Sequence, residues 1–228
     1  MNKLFEDKFV SHLIGYKCFF TSESFNLSLI KKLKKPFFIT FKSKIKKNFS
    51  KEYKDLEVKL TSKMVTYERK YTKDLATYLV CREAKKKDIS QLKKICLEDT
   101  SNSRFFNDLK LPLKFRRKFR AVWLLNYFKK KRGDILIVAL DKNKVLGFIL
   151  MLKKCFGLQI DLIVSSKKHQ NKKVGTTLIN YVNNNYLKKN DIIRAGTQID
   201  NIKANKIYAK IGFIKKKTST FIYHVHSN

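Results

Sequence analysis

Between Leu158 and Leu178 the chain changes its periodicity within a few residues. Leu158-Gln-Ile-Asp-Leu-Ile-Val164 is a short apolar run of strand type, and Ser165–Lys173 is polar and basic. Val174, Leu178, Ile179, Tyr181 and Val182 then recur at mixed three- and four-residue spacing, as in an amphipathic helix. Strand, polar loop and helix start together make a layout that receives a phosphate. The first turn of a helix carries four backbone N–H groups without partners, and the macrodipole adds positive potential there. Gly175 has no Cβ and lets a ligand approach, and Lys172 and Lys173 bring full charges to the same place. The stretch contains neither a G-x-x-x-x-G-K-[ST] loop nor a G-x-G-x-x-G turn.

The rest of the chain supplies the frame. Tyr78–Arg82 predicts a strand, Asp88 with Gln91 a capping box, and Leu92, Ile95 and Cys96 the helix that follows. Thr100–Asp108 is a polar loop. Pro112 opens a second helix with Phe115, Phe119, Val122, Trp123 and Tyr127 on its apolar face, and Gly133 is its expected stop. Three antiparallel-type strands come next: 134–140, Val145–Leu152 after a turn at Asp141–Lys144, and Leu158–Val164. After the 174–187 helix the pattern predicts a strand at Ile192–Gln198, a helix at Asn201–Ile211 closed by Gly212, and two strands, Phe213–Lys216 and Thr220–His226. This order implies an α/β (α+β) fold with a mixed central sheet. Residues 1–75 read as a small α+β domain with a strand at Phe37–Phe41 and strand-like alternation at Leu56–Leu60 and Met64–Arg69. With no Gly/Pro/Ser-rich linker before residue 76, a rigid attachment to the 76–228 domain is expected.

The net charge of +34 would attract polyanions, phosphate-bearing small molecules and anionic membrane surfaces. Only eight of the 52 basic residues are arginine, however, and the lysines are scattered along the whole chain. Nucleic-acid readers favour clustered arginine, so a lysine-biased genome explains the charge better and nucleic acid is disfavoured as a partner. None of the four cysteines forms a C-x-x-C pair, and there is neither a secretory leader pattern nor an apolar run of about 18 residues. A cytoplasmic protein with reduced thiols is expected.

Two motifs carry a resemblance. Gln170-Asn-Lys-Lys173-Val-Gly175 resembles the [QR]-x-x-G-x-[GA] loop of the GNAT acetyltransferases, with Lys173 where the first glycine is usual; a lysine there predicts an ordinary backbone conformation. Asn201, Ala204, Tyr208, Gly212 and Phe213 match the N-x-x-A-x-x-x-Y-x-x-x-G-F pattern of the same family. The two signatures stand in the family's order with the family's elements between them, and the resemblance covers Tyr78–Asn228. A narrower likeness lies in Thr197-Gln198, Ser103-Arg104-Phe105 with Asp108, Trp123, and Phe221–His224. These are similar to the bacterial acetyltransferases that act on nucleotide-linked amino sugars, the dTDP-fucosamine N-acetyltransferase type, which also carry a small N-terminal domain.

The resemblance implies acetyl-CoA as cosubstrate and no metal. Its pantetheine arm would lie along Leu162, Ile163 and Val164, and its pyrophosphate on Gln170, Asn171, Lys172, Lys173, Val174, Gly175 and Thr176. Asn201 and Ala204 would complete the cofactor site; Asn201 is equally an N-cap for its helix. Tyr208 would be the general acid, since a phenol stays protonated at neutral pH and can donate to a leaving thiolate. Ser103, Arg104, Phe105, Asp108, Thr197 and His224 would bind the acceptor, with Arg104 on the pyrophosphate and Phe105 stacking. No general base is evident. His224 and His226 share one strand face, but no cysteine or carboxylate falls at ligand spacing, which disfavours a metal. Arg116, Arg117 and Arg120 read as a solvated helix face with phosphate contact as the outside alternative. A small-molecule nucleotide-sugar partner follows, with room left for a homodimer. The alternatives are a GNAT enzyme that acetylates a protein N-terminus or lysine, and a basic nucleic-acid-binding module.

Overall fold

Strands β6 (Ile135–Asp141) and β7 (Lys144–Lys154) are almost wholly apolar and buried, which is what strands covered on both faces require. The computed structural model describes residues 4–23, 27–49, 56–98, 103–169 and 172–227. Around these strands it builds one ten-stranded mixed sheet in the order β1-β2-β3-β10-β4-β9-β8-β7-β6-β5. The others are β1 (Phe5–Glu6), β2 (Lys17–Ser22), β3 (Phe37–Ser43), β4 (Leu56–Lys70), β5 (Val80–Glu83), β8 (Gly157–Ser165), β9 (Ile192–Gln198) and β10 (Ile214–Ser227). Helices α3 (Ile89–Glu98) and α4 (Leu113–Phe128) cover one face, where Leu92, Ile95 and Leu124 meet Val138, Phe148 and Val164. Helices α5 (Val174–Tyr186) and α6 (Ile202–Lys210) cover the other, with Leu178, Ile179 and Tyr208 against Ile137 and Ile149.

The predicted elements from β5 to α6 are all present, and the sheet is mixed as expected. Four details differ. Leu56–Leu60 and Met64–Arg69 are one strand, β4, because β10 pairs with it from Leu56 to Glu68. The last two predicted strands are likewise one, β10, with an irregularity between Lys215 and Ser219. Asp88 does not cap α3: its carboxylate accepts the Lys85 N–H at 2.7 Å and pairs with Arg82, while Gln91 binds the backbone of Asn143 and Val145. Finally, α4 ends at Phe128, before Gly133, where Lys130 takes the left-handed conformation with φ 55°.

Residues 5–70 also form β1, α1 (Lys8–Ile14), β2 and α2 (Leu27–Lys31), which the sequence pattern had not resolved. They extend the same sheet, and β4 lies between β9 and β10. The connector that follows is clamped to α5. Asn183 donates to the Thr72 carbonyl at 2.6 Å and accepts its N–H, Asn184 does the same for Leu75, and Asn180 donates to the Ala76 carbonyl at 2.8 Å. Among the described residues no helix is long and apolar enough to cross a membrane, and none of the four cysteines is in a disulfide.

Candidate active site

The site begins where two strands part. β8 and β9 run parallel and pair only at Gly157–Ile192, Leu158–Ile193 and Gln159–Arg194; beyond this they diverge. On its other side β8 stays paired with β7 as far as Ser165, with one extra residue, Asp161, bulged between Ile160 and Leu162. The β9-facing edge of Leu162–Ser165 is therefore without a strand partner, and it opens into a cavity of about 380 Å³. Leu162, Ile163, Val164, Gly175, Asn201, Ala204 and Tyr208 line it together, so the fold gathers the cofactor-side residues of both motifs. Gln170 and Asn171 lie outside the described residues.

The start of α5 stands at the mouth of this cavity. Gly147 on β7 lets it sit close, since a Cβ there would come within 2.7 Å of both the Val164 carbonyl and Val174 Cγ1. Gly175 is not needed for its backbone conformation, and a Cβ added to it would meet only Ile163 Cδ1 at 4.0 Å. Its use is the space it leaves beside the cavity. Lys173, at the N-cap, corrects the expectation of an ordinary conformation: its φ and ψ are 53° and 24°, the left-handed region where the family's glycine fits without strain. Its ammonium lies 3.8 Å from the Tyr78 ring centroid, which offsets part of that strain. Val174 is buried, Thr176 is half-buried and Lys172 is exposed, its ammonium 3.6 Å from Asp141.

Tyr208 reaches the cavity from α6 with its ring between Tyr67 and Phe213. Burial pushes its phenol well above its ordinary pKa, so it holds its proton. Asn201 caps α6 by accepting the Ala204 N–H at 3.2 Å, and it lines the cavity as well.

The acceptor-side residues form a second cluster. Asp108 Oδ2 lies 2.5 Å from His224 Nδ1 and 2.8 Å from His226 Nε2, all three residues buried. This corrects the expectation that no carboxylate falls near the two histidines: the fold brings Asp108 in from a loop more than a hundred residues away. The three ligand-type atoms converge, but both nitrogens sit at hydrogen-bond distance from one carboxylate oxygen. Burial lowers the His224 pKa to about 4 against the opposing effect of Asp108. Burial alone would raise Asp108, but the bonds from both histidines outweigh it and hold the carboxyl well below its usual range. His224 Nε2 is buried without a partner.

Phe105 stacks on His224 with centroids 5.4 Å apart, and Arg104 lies over the Phe105 ring. Ser103 begins the turn that carries them, its carbonyl accepting the Asn107 N–H. Thr197 is not brought to this cluster; it is buried on β9, two strands from His224. Arg116 binds the Phe106 and Leu111 carbonyls and Arg117 is exposed, whereas Arg120 lines the β8 cavity.

Asp161 was legible only as a strand residue. Its bulge turns the carboxylate toward α4, where it accepts from Trp123 Nε1 at 2.7 Å and from both nitrogens of the Arg132 fork.

Residues 116–224 match the model of the acetyltransferase (GNAT) domain. Over that stretch the chain is similar to the GNAT acetyltransferases. It is 24% identical over 139 residues to the spore coat polysaccharide biosynthesis protein SpsD of Bacillus subtilis strain 168. That match covers 60% of this chain and 47% of SpsD, so the chain spans about half the length of that relative. Among solved structures, a functionally unknown conserved protein of Staphylococcus epidermidis superposes with a TM-score of 0.60 at 10% identity, over 94% of this chain and 85% of that one. A GNAT-family acetyltransferase of Colwellia psychrerythraea gives 0.51 at 10% identity, over 85% and 65%. At such identities the likeness is one of fold, and the GNAT fold is what the splayed strands display.

Proposed function

We propose that this protein transfers an acetyl group from acetyl-CoA to the amino group of a nucleotide-linked deoxyamino sugar used in surface-polysaccharide synthesis, by direct transfer in a ternary complex. The observation that carries the reading is the splay of β8 from β9 with the start of α5 at its mouth, inside a matched acetyltransferase domain. The name of SpsD, a polysaccharide biosynthesis protein, supports the substrate class. The fit to acetyl-CoA is supported by the open space over Gly175, which any side chain would fill.

When bound, acetyl-CoA supplies an acyl group activated as a thioester. The free edge of Leu162–Ser165 orients the pantetheine arm and offers backbone N–H groups to the developing oxyanion. The N–H groups at the start of α5, with Lys172 and Lys173, would hold the pyrophosphate. Asn201 and Ala204 border the arm. Tyr208 delivers its proton to the departing sulfur as the C–N bond forms and the C–S bond breaks. The acceptor would enter as a neutral amine and release a proton to solvent, and solvent would return one to the Tyr208 phenolate. Residues 76–228 form the acyl-transfer unit on this reading, and residues 1–75 the unit that walls the acceptor side; the setting is cytoplasmic.

Calorimetry with acetyl-CoA tests the reading. The wild type should bind, and Gly175→Trp should lose binding while remaining folded, because its indole fills the cavity mouth. A folded wild-type protein that ignores acetyl-CoA would sink the proposal.

A further inference from the structure

A second and larger cavity, of about 710 Å³, opens between α1, β3 and α4. We propose that it binds a nucleoside diphosphate, the diphosphate on its cations and the base against its aromatic wall. This deepens the acetyltransferase reading by giving its acceptor a place, and it rests on that reading.

Charge comes first. Lys8, Lys42, Arg104, Lys129 and Lys131 line the cavity, against one carboxylate, Asp7. The Asp7 side chain is already engaged as the N-cap of α1, accepting the Val10 N–H at 3.0 Å. A sixth cation, Arg132, is neutralised by its two bonds to Asp161. Five cations against one carboxylate leave the cavity with a net positive charge.

A lysine-rich chain carries many basic surfaces, and two features separate this one from them. Two of the eight arginines of the whole chain line it. In addition, Arg104 Nε is buried without a hydrogen-bond partner, so no acceptor of the chain offsets the guanidinium charge there, whereas an anion in the cavity would. The same crowding shows in the titration of its neighbours. Burial lowers Arg104 to about 10, and burial followed by the charges of Arg104 and Arg132 lowers Lys42.

Shape and lining narrow the ligand. The volume lies within the range of about 300–1,000 Å³ typical of small-molecule sites. Phe9, Phe119 and Trp123 form the wall, with Trp123 edge-on to Phe9 and Phe119 at centroid distances of 6.4 and 4.9 Å. A purine or pyrimidine stacks on such a surface, whereas inorganic phosphate has no use for it.

Position ties the cavity to the chemistry. Helix α4 lends Phe119 and Trp123 to this cavity and Arg120 to the β8 cavity. Trp123 is bonded to Asp161, and the next residue, Leu162, lines the β8 cavity. A ligand here therefore sits beside the acyl site without occupying it.

Trp123 is the only tryptophan of the chain, so its fluorescence reports occupancy directly. Full-length protein titrated with UDP and dTDP at physiological salt should show saturable, one-to-one quenching that persists in saturating acetyl-CoA. Arg104→Met should weaken nucleotide binding by about tenfold or more. Lys42→Met, at an exposed position, should weaken it in the same direction even if the Arg104 variant folds poorly. Gly175→Trp should keep nucleotide binding and lose acetyl-CoA. Displacement of the nucleotide by acetyl-CoA would overturn the inference, as would pyrophosphate or heparin binding as tightly as UDP and dTDP. Failure of both nucleotides to bind a protein that still binds acetyl-CoA sinks this inference alone, whereas failure to bind acetyl-CoA sinks the reading beneath it.

Discussion

At the scale of single residues, the chemistry turns on what burial does to protons. Tyr208 is 4% exposed among aromatic rings, and desolvation keeps its hydroxyl protonated. Tyr208→Phe removes the proton donor and little else, so it should lower kcat by about 10²–10⁴-fold while leaving the acetyl-CoA affinity measured by calorimetry unchanged. Equal loss of binding would mean a packing role instead. Asp108 and His224 set a different dependence. Both Asp108 and His224 have pKa values lowered by folding. The unfolded chain therefore binds more protons than the native one, for His224 between its ordinary value of about 6.5 and its native value of about 4. Stability should then be full above about pH 6.5 and fall by a few kcal/mol as the pH drops toward 4, with further loss as Asp108 protonates below the usual carboxylate range. Urea unfolding at a series of pH values checks this, and His224→Phe should flatten the upper part of the slope.

Elements add what residues cannot. The β8 bulge at Asp161 and the splay from β9 are one device: the bulge anchors β8 to α4 through Trp123 and to the segment after it through Arg132, and the splay frees its other edge. On the opposite face the asparagines of α5 hold the connector after β4. Asn183 is fully buried and serves both polar groups of Thr72. Asn183→Leu leaves those groups without partners in a closed space and should cost about 2–4 kcal/mol in chemical denaturation. A cost near zero would show that the connector detaches freely and that the clamp is not structural. In the sequence, Asn183–Asn185 is only a polar run at the end of a helix, because nothing in its period says which backbone it will meet.

Over the whole molecule, one sheet runs from β1 to β5 and joins the strands of the N-terminal part to those that follow. The order of elements from residue 78 onward, the helix start at Val174, the Asn201–Phe213 motif and the apolar face of α4 were all legible in the sequence, because each is a local pattern of periodicity or a short motif. The division of β4 and β10 into shorter strands was misread for the same reason: long strands with exposed, lysine-rich stretches lose their alternation, and only their pairing with each other keeps them continuous. Thr197 was grouped with the acceptor residues by motif, yet its strand sets it apart from them.

The sequence by itself determined the α/β class, the start of α5 and the candidate acid Tyr208, since these depend on neighbours within about a dozen residues. Only the tertiary structure decided that Lys173 takes a glycine's conformation, that Asp108 meets two histidines of the last strand, and that α1, β3 and α4 enclose a basic cavity. Each of these joins segments far apart in the chain. Side-chain periodicity records only whether a residue is turned inward, and the partner it finds there depends on the order in which strands assemble into the sheet.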